Sequence, residues 1–184
     1  MSAPIRPATV DDSEAIARVH VDTWRAAYRG PITDEVLDGL SAARRAEGWR
    51  GQLAGGGAGV FVAVLREDVV GFASAGPARD EGQGGELYAI YVRRERWGAG
   101  IGGRLLAAVV EHLRSLEVRH AMLWVLETND RTRRFYERHG WSADGGIKTE
   151  RFGPTEVREV RYRLDLSRAP HSAVVSPGSR RNHR

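Results

Sequence analysis

RWGAGIGGRLL, Arg96 to Leu106, decides how this chain is read. Glycines stand at positions 98, 100, 102 and 103, and a run of good helix formers follows. Glycine is entropically costly in an ordered chain, so a cluster of it marks a place where bare backbone is needed. The stretch lies between a β-rich run ending at Val92 and an amphipathic run beginning near Gly100. A helix N-terminus carries unpaired N–H groups and a partial positive charge. Glycines at that point remove the Cβ atoms that would keep an anion away from the amides, which makes the turn a cradle for phosphate.

Two familiar phosphate loops are tested by this spacing. Gly98, Gly100 and Gly103 satisfy G-x-G-x-x-G, the fingerprint of dinucleotide-binding folds. In those folds the first glycine follows the first strand almost directly. Here Arg93 to Trp97 intervene and the turn lies in the middle of the chain, which argues against a nicotinamide enzyme. A P-loop needs a lysine after its glycines, and the only lysine in the chain is Lys148.

Working outward, IRPAT reads as a short first strand, and Thr9 with Asp12 as a capping box that opens a helix. Apolar residues then recur at Ile16, Val19, Thr23, Trp24, Ala27 and Tyr28, and Gly30-Pro31 ends the helix. Asp34 to Leu40 reads as a short helix, and Ser41 as the cap of another reaching about Leu53. The period then changes to that of strands. VFVAVLR (60–66) and VVGFASAG (69–76) form an antiparallel hairpin, and ELYAIYV (86–92) is the next strand. Gly100 to Leu116 is a helix, Ala121 to Leu126 a buried strand, and Asn129 or Thr128 caps a helix to His139. Two last strands, about Trp141 to Phe152 and Val157 to Leu164, turn at Gly153-Pro154. The strand-helix-strand of 86–126 predicts one parallel pair in an otherwise antiparallel sheet. ELYAIYV lacks strict polar alternation, which fits a strand buried on both faces, with a bulge splaying it from its next neighbour.

Composition bounds the rest. The chain has 184 residues and a net charge of +4. Arg168, Arg180, Arg181 and Arg184 account for that whole excess, so residues 1–165 are neutral overall. The expected organisation is one domain over 1–166 and a basic, disordered tail over 167–184. A neutral folded part argues against a nucleic-acid partner. No apolar run approaches the roughly 18 residues of a membrane span, and the N-terminal segment lacks a signal peptide's apolar core. There is no cysteine, which excludes disulfides, thiolate zinc sites and a cysteine nucleophile. The histidines lack metal-ligand spacing, so no metal is expected, and His20 reads as packed. A cytoplasmic protein is the expectation.

The turn resembles the signature of the GNAT family of N-acetyltransferases, Q/R-x-x-G-x-G/A opening a helix after a strand. Trp97 takes the Gln/Arg position, followed by Gly98, Ala99, Gly100, Ile101 and Gly102. A second motif of that family, N-x-x-A-x-x-F-Y-x-x-x-G-F/W, is matched by Asn129, Thr132, Phe135, Tyr136, Gly140 and Trp141, with Thr132 replacing alanine. HVDTWRAAYRGPITDEVLDGL, from His20 to Leu40, is similar to one bacterial branch. The resemblance covers Ile5 to Leu166 and implies the family's mixed, mostly antiparallel, twisted α/β sheet with flanking helices, the acyl-CoA N-acyltransferase fold. It implies the pyrophosphate of acetyl-CoA on the amides from Gly98 through Ala99, Gly100, Ile101 and Gly102 to Gly103. It also implies a pantetheine arm beside Tyr91 and Val92, Asn129 near that arm, and Tyr136 near the sulfur. The acceptor would be an amine, and the family is often dimeric.

Transfer from a thioester to an amine needs a base for the amine, a donor for the carbonyl oxygen and an acid for the leaving thiolate. Direct attack in a ternary complex is the simpler route where no cysteine exists. A backbone N–H near Val92 is the candidate oxyanion donor. Glu86, at the start of the strand along which the cofactor lies, is the candidate base, with Asp80 and Glu81 as alternatives. Tyr136 is the candidate acid. Trp24 and Tyr28, four apart on one helical face, are candidate walls of the acceptor pocket. The competing reading is a non-catalytic module that binds or senses acyl-CoA.

Overall fold

A computed structural model describes residues 3–56, 58–79 and 84–167. The alternative bases Asp80 and Glu81, and the tail from residue 168, lie outside them.

The chain opens with strand β1 (Ile5–Pro7) and a 3-10 turn, Val10–Asp12. Asp12 accepts from the Thr9 amide at 2.7 Å, as the capping box required. Helix α1 (Ser13–Ala27) follows, then α2 (Asp34–Asp38) and α3 (Ala42–Gly55), where the Ser41 hydroxyl accepts from the Arg44 amide. Strands β2 (Gly59–Leu65), β3 (Asp68–Pro77) and β4 (Gly85–Val92) form an antiparallel meander. Helix α4 (Ile101–Ser115) crosses over to β5 (His120–Leu126), and α5 (Asp130–Arg138) leads to the hairpin of β6 (Ser142–Phe152) and β7 (Thr155–Asp165).

One sheet holds all seven strands in the order β1-β2-β3-β4-β5-β7-β6, and β4–β5 is its parallel pair. The hairpin folds back so that β7, the later strand, lies against β5. Strand β3 is buried from Val69 to Gly76 because both faces of the sheet are covered. On one face α1 and α3 bury Ile16, Val19, Trp49 and Phe72; on the other α4 and α5 bury Leu105, Val109, Leu113 and Tyr136.

Two irregularities open this sheet. Ser74 stands opposite Ala89 and Ala75 opposite Leu87, so Tyr88 is an extra residue bulged out of β4. A bulge of this kind bends the strand and increases its twist. The parallel pairing with β5 is confined to Gly85–Ala121 and Glu86–Met122, at the start of both strands. Beyond Glu86 the two strands part, β5 keeping its partner β7 as far as Leu126.

Candidate active site

The glycine turn sits over this opening. Gly98 and Gly100 have φ of +82° and +73°, the left-handed region that favours glycine. A Cβ built on either would have no neighbour within 4 Å, so both look onto open space. Gly100 is the N-cap of α4 and gives no side-chain cap. The Arg104 amide reaches the Gly100 carbonyl at 3.3 Å, and the amides of Ile101, Gly102 and Gly103 precede it at the bare end of the helix. Trp97 acts as a brace, because its indole N–H donates to the Val92 carbonyl at 2.7 Å and ties the turn to the end of β4. The Arg131 guanidinium lies 3.8 Å from the centre of that indole ring. Neither contact is legible in the Gln/Arg consensus position.

Register decides which peptides of β4 face the gap. The Arg93 amide donates to Val70, and Tyr91 stands opposite Phe72. In an antiparallel ladder alternate residues direct both polar groups to the same neighbour. Arg93, Tyr91 and Ala89 therefore bond toward β3, and Ile90 and Val92 turn their N–H and C=O toward the parted β5. The peptide of Tyr91 is thereby committed to β3. Ile90, Tyr91 and Val92 all line the cavity that opens here.

Across the gap Asn129 caps α5, its Oδ1 accepting from the Thr132 amide at 3.1 Å. Tyr136, farther along the same helix, is 5% exposed and packs near the rings of Trp141 and Tyr162. Burial pushes its phenol well above the usual range, and Tyr91 adds to the shift. The hydroxyl therefore keeps its proton throughout the neutral range.

On the α1 side of the sheet Trp24, Tyr28, Tyr91 and Phe152 form a ring-lined chamber. The Trp24 ring meets those of Tyr28 and Phe152 edge-on at 5.0 and 5.3 Å, and its N–H donates to the Tyr91 hydroxyl at 2.9 Å. Burial raises the Tyr28 and Tyr91 phenols. The inward face of the β6–β7 hairpin adds Lys148, Glu150 and Glu159, which sequence reasoning missed. His20 stacks on Tyr91 at 5.0 Å with its Nδ1 buried and without a hydrogen bond, so it is a packed residue.

Burial, with the Arg45 charge adding to it, lowers the His20 pKa to about 3. An unfolded chain takes up that proton near pH 6.5, so the stability His20 contributes is present above 6.5 and is lost as pH falls toward 3. Between pH 6.5 and 5 the loss is about 2 kcal/mol. Urea unfolding at pH 7 and pH 5 is expected to show this loss in the parent chain and a smaller one in His20→Phe.

Glu86 lies where β4 and β5 part and is 1% exposed. Both of its oxygens are engaged by Arg79. The guanidinium Nε lies 3.1 and 3.2 Å from them, the Arg79 amide donates to Oε2 at 2.9 Å, and Nη2 closes on Oε1. This clamp fixes the segment leaving β3 and engages both oxygens of Glu86, which lines the cavity together with Arg79.

One cavity of about 1060 Å³ joins these parts, running from Gly98–Gly103 past Val92 and Tyr136 to Trp24 and Phe152. A sheet parted at its parallel pair, with a bare helix N-terminus over the gap, is a framework for an elongated ligand with an anionic end. Comparison with known proteins agrees. The model of the acetyltransferase (GNAT) family matches residues 20–141. The uncharacterised N-acetyltransferase YuaI of Bacillus subtilis is 40% identical over 128 residues, 68% of this chain and 72% of that protein. PaiA N-acetyltransferase of Thermoplasma acidophilum, solved with coenzyme A, superposes with a TM-score of 0.71 at 17% identity, covering 90% of this chain and 99% of that one. YncA of Salmonella typhimurium, solved with acetyl-CoA, gives 0.71 at 21% identity, covering 94% and 99%. The chain belongs to the GNAT acetyltransferase family and is an acyltransferase. Among the described residues no helix is long and apolar enough to cross a membrane.

Proposed function

We propose that the protein moves the acetyl group of acetyl-CoA to a primary amine by direct attack, with both substrates bound at once. The observation that carries this reading is the continuity of the cavity through the parted strands, with an anion cradle at one end and a ring-lined chamber at the other. The amides of Ile101, Gly102 and Gly103 receive the pyrophosphate, with the helix dipole behind them. Ile90 and Val92 pair with the extended arm as a sheet edge pairs with an added strand. The Val92 N–H polarises the acetyl carbonyl as negative charge grows on its oxygen. The Tyr136 hydroxyl meets the departing sulfur. Its raised pKa suits a group that stays protonated and donates a hydrogen bond to the thiolate.

The assay is favoured by composition. Without cysteine in the chain, a thiol reagent reads only released CoA. Turnover is expected with a primary amine, and Tyr136→Phe is expected to lower kcat and kcat/KM together by on the order of 10- to 100-fold, the worth of one hydrogen bond to a charged group. Acetyl-CoA affinity should hold. CoA binding by calorimetry without turnover on any amine would favour the non-catalytic module instead.

A further inference from the structure

We propose that Glu159, rather than Glu86, takes the proton from the acceptor amine, and that this amine is carried on an aromatic or apolar stem. The inference rests on the acetyl-transfer reading and names the group and substrate class that reading leaves open. Glu159 lies on β7, beyond the 20–141 segment matched by the family model, on the hairpin face that looks across the chamber toward α1.

Its surroundings differ from those of Glu86 in kind. Lys148, opposite it on β6, lies 3.4 Å from its Oε2 and is itself shared with Glu150 at 3.8 Å and the Trp124 ring at 4.6 Å. This contact is longer than those of the Arg79 clamp, and the Glu159 side chain keeps 17% of its surface exposed against 1% for Glu86. The titratable groups that line the cavity with it include Lys148 and Glu150 from β6, Tyr28 just after α1, Tyr91 and Glu86 from β4, Arg79 from the segment after β3, and Tyr136 from α5. Burial raises its pKa, Lys148 opposes that shift, Glu150 adds to it, and Arg79 opposes it. A base poised closer to neutrality serves proton transfer better than an ordinary surface carboxylate.

The rings of Trp24, Tyr28, Tyr91 and Phe152 line the same cavity as Glu159 and suit an apolar stem, and aromatic faces attract an arriving ammonium. The protons and electron pairs then balance. The ammonium gives one proton to Glu159 and thence to solvent. The freed lone pair forms the C–N bond as the C–S bond breaks. The nitrogen's second proton is lost and the thiolate gains one, so each acetylation releases one net proton with the amide and CoA.

The test uses the full chain, acetyl-CoA, and 2-phenylethylamine, tyramine and spermidine, with CoA release followed from pH 6 to 10. Glu159→Gln is expected to lower kcat/KM for the arylalkylamines on the order of 100-fold at pH 7, with much of the loss recovered toward pH 10, where amine arrives neutral. Lys148→Met should move the acidic limb to higher pH, because the carboxylate loses its cation; a merely structural role for Lys148 would leave that limb in place. Glu86→Gln should keep the parent's dependence on pH. Calorimetry with CoA confirms that each variant is folded. A parent-like profile in Glu159→Gln, or loss of the acidic limb in Glu86→Gln, overturns the inference and leaves acetyl transfer standing, and preference for spermidine overturns the stem class. CoA release with none of these three amines overturns the stem class, and only CoA binding without turnover across a wide panel of primary amines overturns the acetyl-transfer reading.

Discussion

Gly100→Val is expected to abolish CoA binding while the sheet and helices remain. The φ of +73° at this position is one that a β-branched residue adopts only under strain. Holding it there costs about 1–3 kcal/mol, and relaxing it would swing the first turn of α4 away from the opening. The space a Cβ would enter is empty of protein atoms, so nothing inside the fold is struck. What is struck is the ground in front of the Ile101 to Gly103 amides, where an anion would lie. Calorimetry should then show no heat at CoA concentrations that saturate the parent, with an unchanged far-ultraviolet circular dichroism spectrum and a small loss of stability. Unchanged affinity would show that the cradle lies elsewhere, whatever the helix N-terminus looks like.

The elements were legible in sequence because their signals are local. Ser41, Asn129, Gly100 and Gly140 mark helix ends by their own chemistry, and the structure places each at such an end. The change of period at Val60 announced the meander, and the strand-helix-strand order announced the parallel pair. What could not be read is what depends on partners far along the chain. That β7 rather than β6 borders β5 is settled by pairing across the sheet, and it sends Lys148, Glu159 and Phe152 into the chamber. Glu86 looked like a free strand-end carboxylate because nothing local reveals the Arg79 clamp. Which peptides of β4 face the gap was unreadable for a subtler reason. A strand's parity is set by its neighbour, and an apolar run with an extra residue at Tyr88 gives no sign of which peptides that neighbour takes.

That parity supplies the sharpest test of the opening. Replacing a backbone amide by an ester removes one N–H and leaves φ free, so it probes a single peptide without the distortion a proline brings. An ester at the N–H of Val92 should cost little stability, because that group faces the gap and has no partner on β3. It should lower kcat by about 10²-fold or more, the effect of losing one oxyanion donor. An ester at the N–H of Tyr91 should do the reverse. It breaks a ladder bond to Phe72, costs about 1 kcal/mol of stability, and leaves kcat close to the parent value. Urea unfolding and initial rates of CoA release, measured on the same two semisynthetic proteins, give four numbers with an expected crossed pattern. If both esters lower stability equally and neither changes kcat, β4 does not part from β5 as described, and the acetyl carbonyl takes its hydrogen bond from some other group.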